Sequence, residues 1–436
     1  MIRTPVPVLV KRFLTSVRQD GVIRAVFRSI SYVKRRVFGL RPSILLRKGF
    51  GRPGSDGKYL QGIWQTLARE DAFHILQSPK IHQKRRQIAM IADLNLPQCR
   101  KYRVEQLAGF WRARGVEFEF SHYQDVSRAA RIMQQATHLM EYRLQASPAA
   151  DMLRYEARRL RLPILYDLDD PLFSISAYET YRNMEMLAPA MKTHFLAEAP
   201  KYLSMMNGAD VISVSTPGLA THAGLYSDRP IFLRRNFADT QTLRAGATAM
   251  RESQTGDGIF RVAFASGSQG HEADFNEILE PLTEFILQDP KRRLMLMGHF
   301  DRSRLPSDLF GQLETTKFSN YDRYLKILAR ADCAVMPLFD DVFNRCKSAV
   351  RVIDAAAVGV PSVVGPVGDL PSLVKDGETG FVAEATGWVS ALSALAEAPE
   401  RAQKMGLSAR RNLETHWRAS DQPHVVAPEL IDWVES

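Results

Sequence analysis

Residues 331–361 read Ala-Asp-Cys-Ala-Val-Met-Pro-Leu-Phe-Asp-Asp-Val-Phe-Asn-Arg-Cys-Lys-Ser-Ala-Val-Arg-Val-Ile-Asp-Ala-Ala-Ala-Val-Gly-Val-Pro. The apolar run Cys333–Leu338 has the texture of a buried strand and closes at Pro337-Leu338. A polar loop follows, and the spacing predicts a helix over Cys346–Val358 whose first turn carries Lys347 and Ser348. Unpaired N–H groups and the macrodipole at such a helix start favour an anion. Lys347, Arg351 and Asp354, at i, i+4 and i+7, share a face of that helix. Two cations and one acid there suit a phosphate pair and a ribose hydroxyl. An intrahelical ion pair on a solvated face is the other reading of the same spacing. A further strand, Pro361–Val364, completes a strand–helix–strand unit.

The same alternation extends in both directions. Upstream, strands at Phe260–Ala265 and Arg293–Met297 alternate with helices at Glu272–Gln288 and Tyr321–Arg330. Earlier still, strands at Ile88–Leu94, Val116–Phe120, His138–Arg143, Pro163–Leu168, Asp210–Val214 and Pro230–Arg234 alternate with helical segments. This pattern predicts an α/β protein with parallel sheets covered on both faces. Residues 240–257 are rich in Ala, Thr, Gly and Ser without an apolar period, which predicts an interdomain linker. The expected organisation is a basic helical extension at 1–85 and a first Rossmann-like domain at 86–239. A linker at 240–258, a second Rossmann-like domain at 259–415 and a tail or helix at 416–436 follow. Two doubly wound domains in tandem face one cleft, and their ligands sit at the carboxyl ends of the strands.

Composition narrows the class. The chain has 436 residues, 45% hydrophobic and 24% charged, which excludes a disordered or collagen-like chain. No apolar run approaches the roughly 18 residues of a membrane-spanning helix. The three cysteines, Cys99, Cys333 and Cys346, form no C-x-x-C pair, so a structural zinc site is not expected. A reduced compartment fits them. The two prolines in Met1–Lys11 break the only apolar stretch there, and no secretory signal is read. Residues 1–60 hold 14 Lys and Arg against Asp20 and Asp56, a net +12 in a chain whose total is +10. The remainder is slightly acidic, unlike a genome-binding protein, which spreads positive charge over its folded surface. Between Val8 and Phe38 the pattern is helical. Ile23, Val26, Phe27, Ile30, Val33 and Val37 fall in one apolar arc flanked by Arg24, Arg28 and Arg35, with Lys34 inside it. A basic amphipathic helix of this kind lies on an anionic membrane surface, here via residues 8–48, or packs on its own domain. Breaks at Arg41-Pro42 and Gly49–Gly54 and a second helical stretch, Gly57–Leu76, follow.

The block at 331–361 resembles the nucleotide-sugar site of the glycosyl transferases group 1 family, which adopts the GT-B fold. Gly359-Val360-Pro361 matches the family's Gly-x-Pro. Asp354 stands at the second of two acids spaced eight apart, and Cys346 stands at the first. Phe343-Asn344-x-x-Lys347-Ser348 resembles a divergent bacterial branch in which Asn, Lys and Ser replace an acid-Gly-Phe-Gly pattern. The resemblance implies that Asp354 contacts the donor ribose and that Asn344, Lys347, Ser348 and Arg351 belong to the donor site. Phe264-Ala-Ser-Gly267-Ser268-Gln-Gly270-His271 resembles the Gly-rich loop that approaches the diphosphate, with Ser268 and His271 where the family often has Arg and Lys. Gly298-His299 lies near the family's base site. Gly377-Glu-Thr-Gly380 resembles a D-G-x-x-G turn and is expected to be a hairpin.

In the first domain, Tyr166-Asp167-Leu168-Asp169-Asp170 ends a strand and resembles an Asp-x-Asp-Asp strand end of the same branch. One of Asp167, Asp169 and Asp170 is a candidate general base for an acceptor hydroxyl, because clustered carboxylates raise a pKa by mutual repulsion. Acceptor binding without proton transfer, or a helix cap, are the alternatives. Arg103, in Gln98-Cys99-x-x-Tyr102-Arg103, and Arg143 are candidates for acceptor contact. Ser213-Val-Ser-Thr-Pro217 and Arg235-Asn236 read as structural strand ends. The resemblance implies a hexosyl- or deoxyhexosyltransferase of the retaining type, without metal or cofactor. It would move a sugar from a nucleotide-sugar to a glycan or lipid-linked glycan, in bacterial surface polysaccharide synthesis. It would work in the cytoplasm, with the leader placing it on the inner face of the membrane. Two other classes compete: a non-catalytic subunit binding sugar-nucleotide or glycan, and a haloacid-dehalogenase-like phosphohydrolase built on Asp167-Leu-Asp169.

Overall fold

The computed structural model describes residues 85–436 except 254–255, 267–270 and 420–421, together with Val10, Leu14, Val17, Val22, Val26, Ser29 and Ile30. The predicted helix over 57–76, the breaks at 41–54, most of the apolar arc at 23–37, and Gly267 and Ser268 lie outside the described residues. The chain divides into two compact units, Met1–His74 and Ile75–Ser436. The described residues of the first unit are helical.

The second unit holds two parallel six-stranded sheets. In the first, β1 (Gln87–Ala92), β2 (Glu117–His122), β3 (His138–Tyr142), β4 (Ile164–Leu168), β5 (Val211–Val214) and β6 (Ile231–Leu233) lie in the order β2-β1-β3-β4-β5-β6. In the second, β7 (Phe260–Ser266), β8 (Arg292–Gly298), β9 (Leu313–Thr316), β10 (Cys333–Met336), β11 (Ser362–Val364) and β12 (Gly380–Val382) lie in the order β12-β11-β10-β7-β8-β9. The inner strands β1, β3, β4 and β10 are buried along their whole length, as continuous apolar runs between two helical layers require. The order reverses between β1 and β3 and between β7 and β10, and ligands of such sheets bind outside these switch points.

Three local expectations need correction. The segment read as an irregular linker is mostly a helix, Thr240–Glu252, capped by Asp239, whose Oδ1 accepts from Thr242 N at 2.8 Å. Its buried positions are Thr242, Gly246 and Ala249, so the stripe that packs is made of small residues and is invisible to an apolar count. At Gly246 a Cβ would lie 2.0 Å from the Ala357 carbonyl oxygen; the helix is pressed against Val350–Ala357 at that point. Second, the helix expected over Cys346–Val358 starts later than expected. A short helix spans Val342–Arg345, capped by Asp341, and the main helix starts only at Val350. Lys347 and Ser348 thus lie in the approach to the helix, and only Arg351 and Asp354 sit on it. Third, the turn at Gly377 feeds β12, which runs parallel to β11, so it closes a crossover and not a hairpin.

The chain returns to the first sheet at its far end. Arg234 bridges antiparallel to Val426, and Ala427 N donates to Leu233 O at 2.9 Å. The helix Pro428–Glu435 then packs near β6. His138 Nε2 donates to the Trp433 carbonyl at 3.2 Å, and the two rings meet edge to face.

Candidate active site

The strand ends of both sheets converge on one polar cluster. From the first sheet come Arg143 after β3 and Asp169 and Asp170 after β4. Arg143 Nε donates to Asp169 Oδ1 at 2.5 Å, and its NH2 group pairs with Asp170. Arg143 holds this position with φ +52°, a conformation that costs a non-glycine residue about 1–3 kcal/mol and that clusters at functional sites. Asp169 also accepts the Tyr142 hydroxyl at 2.9 Å. The two carboxylates are driven apart electrostatically. Burial works against ionising Asp169, but Arg143 and Arg103 outweigh it and hold its pKa below the usual value. Burial, helped by the Asp169 charge, pushes Asp170 up despite Lys347 and Arg143.

From the second sheet come Lys347, Arg351 and the His271–Asp274 pair. Burial alone would depress the Lys347 ammonium; Tyr181, Asp170 and Asp274 reverse this and raise it, so the cation is held in place. Its Nζ lies 5.1 Å from the Phe343 ring centre and 5.6 Å from that of Tyr181. Arg351 donates to Ala265 O at 3.2 Å, near the end of β7. Burial lowers its pKa, though Asp274 counters. Burial pushes His271 down to about 4, with Lys347 and Arg351 adding to the effect. The ring is therefore neutral at pH 7, and its Nδ1 lies 3.1 Å from Asp274 Oδ2. Asp274 stays ionised below its ordinary pKa, because hydrogen bonds from His271 and Phe339 N overcome burial.

Several predicted residues serve the scaffold. Asp167 is fully buried and accepts from Arg103 (3.1 and 2.5 Å), Arg234 (2.5 Å) and the Ser213 hydroxyl. Arg103 is equally buried, and its other donors reach Arg234 O and Asn236 Oδ1. Asp167 is thus corrected from candidate base, and Arg103 from candidate acceptor contact, to one ion cluster tying β4 to the helix that follows β1. Asn344 is buried and donates to Asp274 Oδ1 at 2.7 Å and to Phe339 O at 3.0 Å, which shapes the loop after β10. Ser348 Oγ accepts from Asn236 Nδ2 at 3.0 Å, across the domain seam. Arg235 pairs with Asp369 across the same seam. Gly298, at φ +98°, is dictated by packing: a Cβ there would lie 1.8 Å from Ser266 O. Asp354 is buried among phenols. Its Oδ1 takes hydrogen bonds from Tyr321 at 2.7 Å and from Tyr102 of the first domain. A ribose hydroxyl would reach that oxygen only by replacing a phenol.

The sequence reading passed over a strap in the first domain, the helices Ile175–Thr180 and Arg182–Met186. Asn183 Oδ1 accepts from Ala273 N at 2.9 Å in the second domain, and the Tyr181 ring stacks on Phe343 with centres 4.2 Å apart. Tyr181 thereby lies over Lys347. Also passed over is Phe318, half exposed after β9 and stacked on His299 with centres 5.9 Å apart.

Residues 264–398 match the model of the family described as glycosyl transferases group 1. Over 190 residues the chain is 27% identical to the D-inositol 3-phosphate glycosyltransferase of Nocardia farcinica, a match covering 39% of this chain and 41% of that one. The corresponding enzyme of Streptomyces griseus is 34% identical over 88 residues, 20% of this chain and 18% of that one. The chain thus spans less than half the length of these curated relatives. Among solved structures, WaaG, a glycosyltransferase involved in lipopolysaccharide biosynthesis, superposes with a TM-score of 0.53 at 10% identity, over 80% of this chain and 99% of that one. HepE of Anabaena, solved with UDP and glucose, gives 0.51 at 12% identity over 80% and 99%. These likenesses establish the two-domain GT-B fold.

Proposed function

From a chain whose residues 264–398 match the glycosyl transferases group 1 model and which has the GT-B fold, we propose a transfer of a hexose or deoxyhexose from a nucleotide-sugar to an acceptor hydroxyl. The acceptor in this reading is a glycan or lipid-linked glycan, and the setting is bacterial surface polysaccharide synthesis. The observation that carries it is the meeting of Lys347, which lies beside Arg351, with Asp170 across the cleft. Binding of UDP by HepE supports a nucleoside diphosphate as the leaving group. Lys347 and Arg351 neutralise the charge that develops on the diphosphate as the glycosidic bond breaks, in a site that excludes water and so strengthens the interaction. Neutral His271, its Nδ1 proton directed to Asp274, keeps Nε2 as an acceptor for a donor hydroxyl. Asp170 accepts the hydrogen bond of the incoming hydroxyl, and Arg143 orients it. Asp169, locked by Arg143 and Tyr142, sets the field that keeps Asp170 basic. The mechanism uses no metal or cofactor; the acceptor oxygen bonds to the anomeric carbon on the face that the diphosphate leaves, its proton passing to Asp170, so the configuration of the donor is retained.

The test is nucleotide release from a panel of UDP-, GDP- and dTDP-sugars with glycan acceptors. One donor class should turn over, and NMR of the product should show a retained anomer. Asp170→Asn should slow transfer and remove the acidic limb of the pH–rate profile. In the wild type that limb lies above the ordinary carboxylate range, because only ionised Asp170 accepts the hydroxyl and its pKa is raised. A panel without turnover, but with tight nucleotide-sugar binding, would favour a non-catalytic binding subunit.

The leader is read as a peripheral membrane anchor. Val10, Leu14, Val22, Val26 and Ile30 are helical and 40–61% exposed, and the last three, spaced by four, lie within about 80° of one another on a helix. With the +12 charge of residues 1–60, this suits an anionic surface, where each basic residue contributes about 1 kcal/mol. No helix among the described residues is long and apolar enough to cross a membrane. Full-length chain should sediment with phosphatidylglycerol-containing vesicles, less so at high salt, and not with phosphatidylcholine alone. The double substitution Val22→Glu, Val26→Glu should release it; sedimentation unaffected by both salt and substitution would remove the leader's role.

A further inference from the structure

The carboxyl edge of the first sheet continues outward from Asp170 and Arg143. The strand order β4, β3, β1, β2, at roughly 4.8 Å per strand, places the ends of β1 and β2 about 10 and 14 Å from that of β4. Asp93 follows β1, its backbone N donating to Tyr142 O at 3.1 Å, which holds it level with Arg143. His122 ends β2, and Tyr123 is pinned beside it by a hydrogen bond from its N to Ala92 O at 3.1 Å. The rings of His122 and Tyr123 are stacked, with centres 4.7 Å apart and planes at 25°.

The polar atoms of this edge are set for a neutral ligand. His122 Nδ1 accepts from Gln124 N at 3.1 Å. In the neutral ring the proton is then on Nε2, which lies 3.8 Å from Asp93 Oδ1. That separation is too long for a direct hydrogen bond. One hydroxyl can fill it, accepting from the imidazole and donating to the carboxylate. Both side chains reach solvent, at 34% for Asp93 and 23% for His122. Asp93 Oδ1 also accepts from Asn95 N at 3.0 Å, which fixes the carboxylate beside the stacked ring pair. Aromatic faces take the C–H face of a sugar, and a carboxylate and an imidazole N–H take its hydroxyls. A phosphate or an acidic headgroup would be repelled by the Asp93 carboxylate.

We propose that Asp93, His122 and Tyr123 form a subsite for a non-reacting sugar ring of an oligosaccharide acceptor. The distance from Asp170 means that the acceptor is longer than a single pyranose. This rests on the glycosyltransferase reading above, and it adds the length and the neutral character of the acceptor at this position.

The experiment pairs a glycan microarray, probed with the full chain, with calorimetric binding of UDP, GDP and dTDP. The wild type should retain oligosaccharides and not the matching monosaccharides. Tyr123→Ala and, separately, Asp93→Asn should lower the array signal about tenfold or more with nucleotide affinity unchanged, which also reports that the variants are folded. Equal retention by wild type and both variants, equal retention of monosaccharides, or no retention of any glycan by a wild type that binds nucleotide would each overturn the subsite. Failure of the wild type to bind any nucleotide would instead strike the glycosyltransferase reading, while the variant comparison on the array would still decide the subsite.

Discussion

Replacing Asp167 by alanine is expected to destabilise the fold by about 3–5 kcal/mol, the range for removing one partner of a buried ion pair. The reason is what remains. Arg103 and Arg234 are 0% and 1% exposed, and both point guanidinium groups at the lost carboxylate. Burial, aggravated by Arg103, already pulls Arg234 down to about 10 with Asp167 present. Without it two cations face each other in a dry interior. Asp167→Asn keeps the volume and part of the hydrogen bonding but not the charge, and should recover little. Urea denaturation monitored by far-UV circular dichroism reads the change as a lower midpoint at constant slope. A midpoint equal to the wild type's, together with lost turnover, would return Asp167 to the chemistry.

Lys347→Ala should leave a folded chain that has lost most of its transfer activity. The ammonium sits between Tyr181, Phe343, Asp170 and Asp274, where donors from both domains would meet the diphosphate. Removing one preorganised charge-stabilising donor of this kind costs about 10²–10³ in kcat. Lys347→Arg should not restore the rate, because a planar fork does not occupy the space of a point charge flanked by two rings. Nucleotide release under saturating donor measures the loss, and a thermal melt controls for folding. Undiminished release by a folded Lys347→Ala would remove this residue from the reaction and with it the proposed anion site.

Much of this was legible because parallel sheets write themselves as alternating apolar runs. The blocks around β1, β4, β7 and β10 are buried on both faces, and their apolar continuity marks them. The block at 331–361 stood out for a different reason: Lys347 and Arg351 are cations in a chain segment otherwise bound for the interior. Burial of charge was not legible. Nothing in Arg103 or Asp167 as letters separates a pair that meets solvent from one that meets itself across 64 positions. The helix Thr240–Glu252 escaped because its packing stripe is Thr, Gly and Ala, chosen for closeness and not for greasiness. The strap at 175–186 escaped because its partners, Phe343 and Ala273, lie in another domain. Its stacking and cap contacts follow no local period.

The return of residues 425–436 to the first sheet has a consequence for synthesis. The first sheet is strung from β1 to β6 by Leu233, yet Leu233 O, His138 Nε2 and Arg114 Nε bond to Ala427, Trp433 and Glu435 at the far end of the chain. Roughly 190 further residues must leave the ribosome before those partners arrive, which takes on the order of 10–40 s at about 5–20 residues per second. Throughout that interval the nascent first domain carries an uncovered flank while the second is still being made. The two halves of this chain therefore mature together, and a chaperone that shields the edge beside β6 would act during elongation and be released by the arrival of the closing segment.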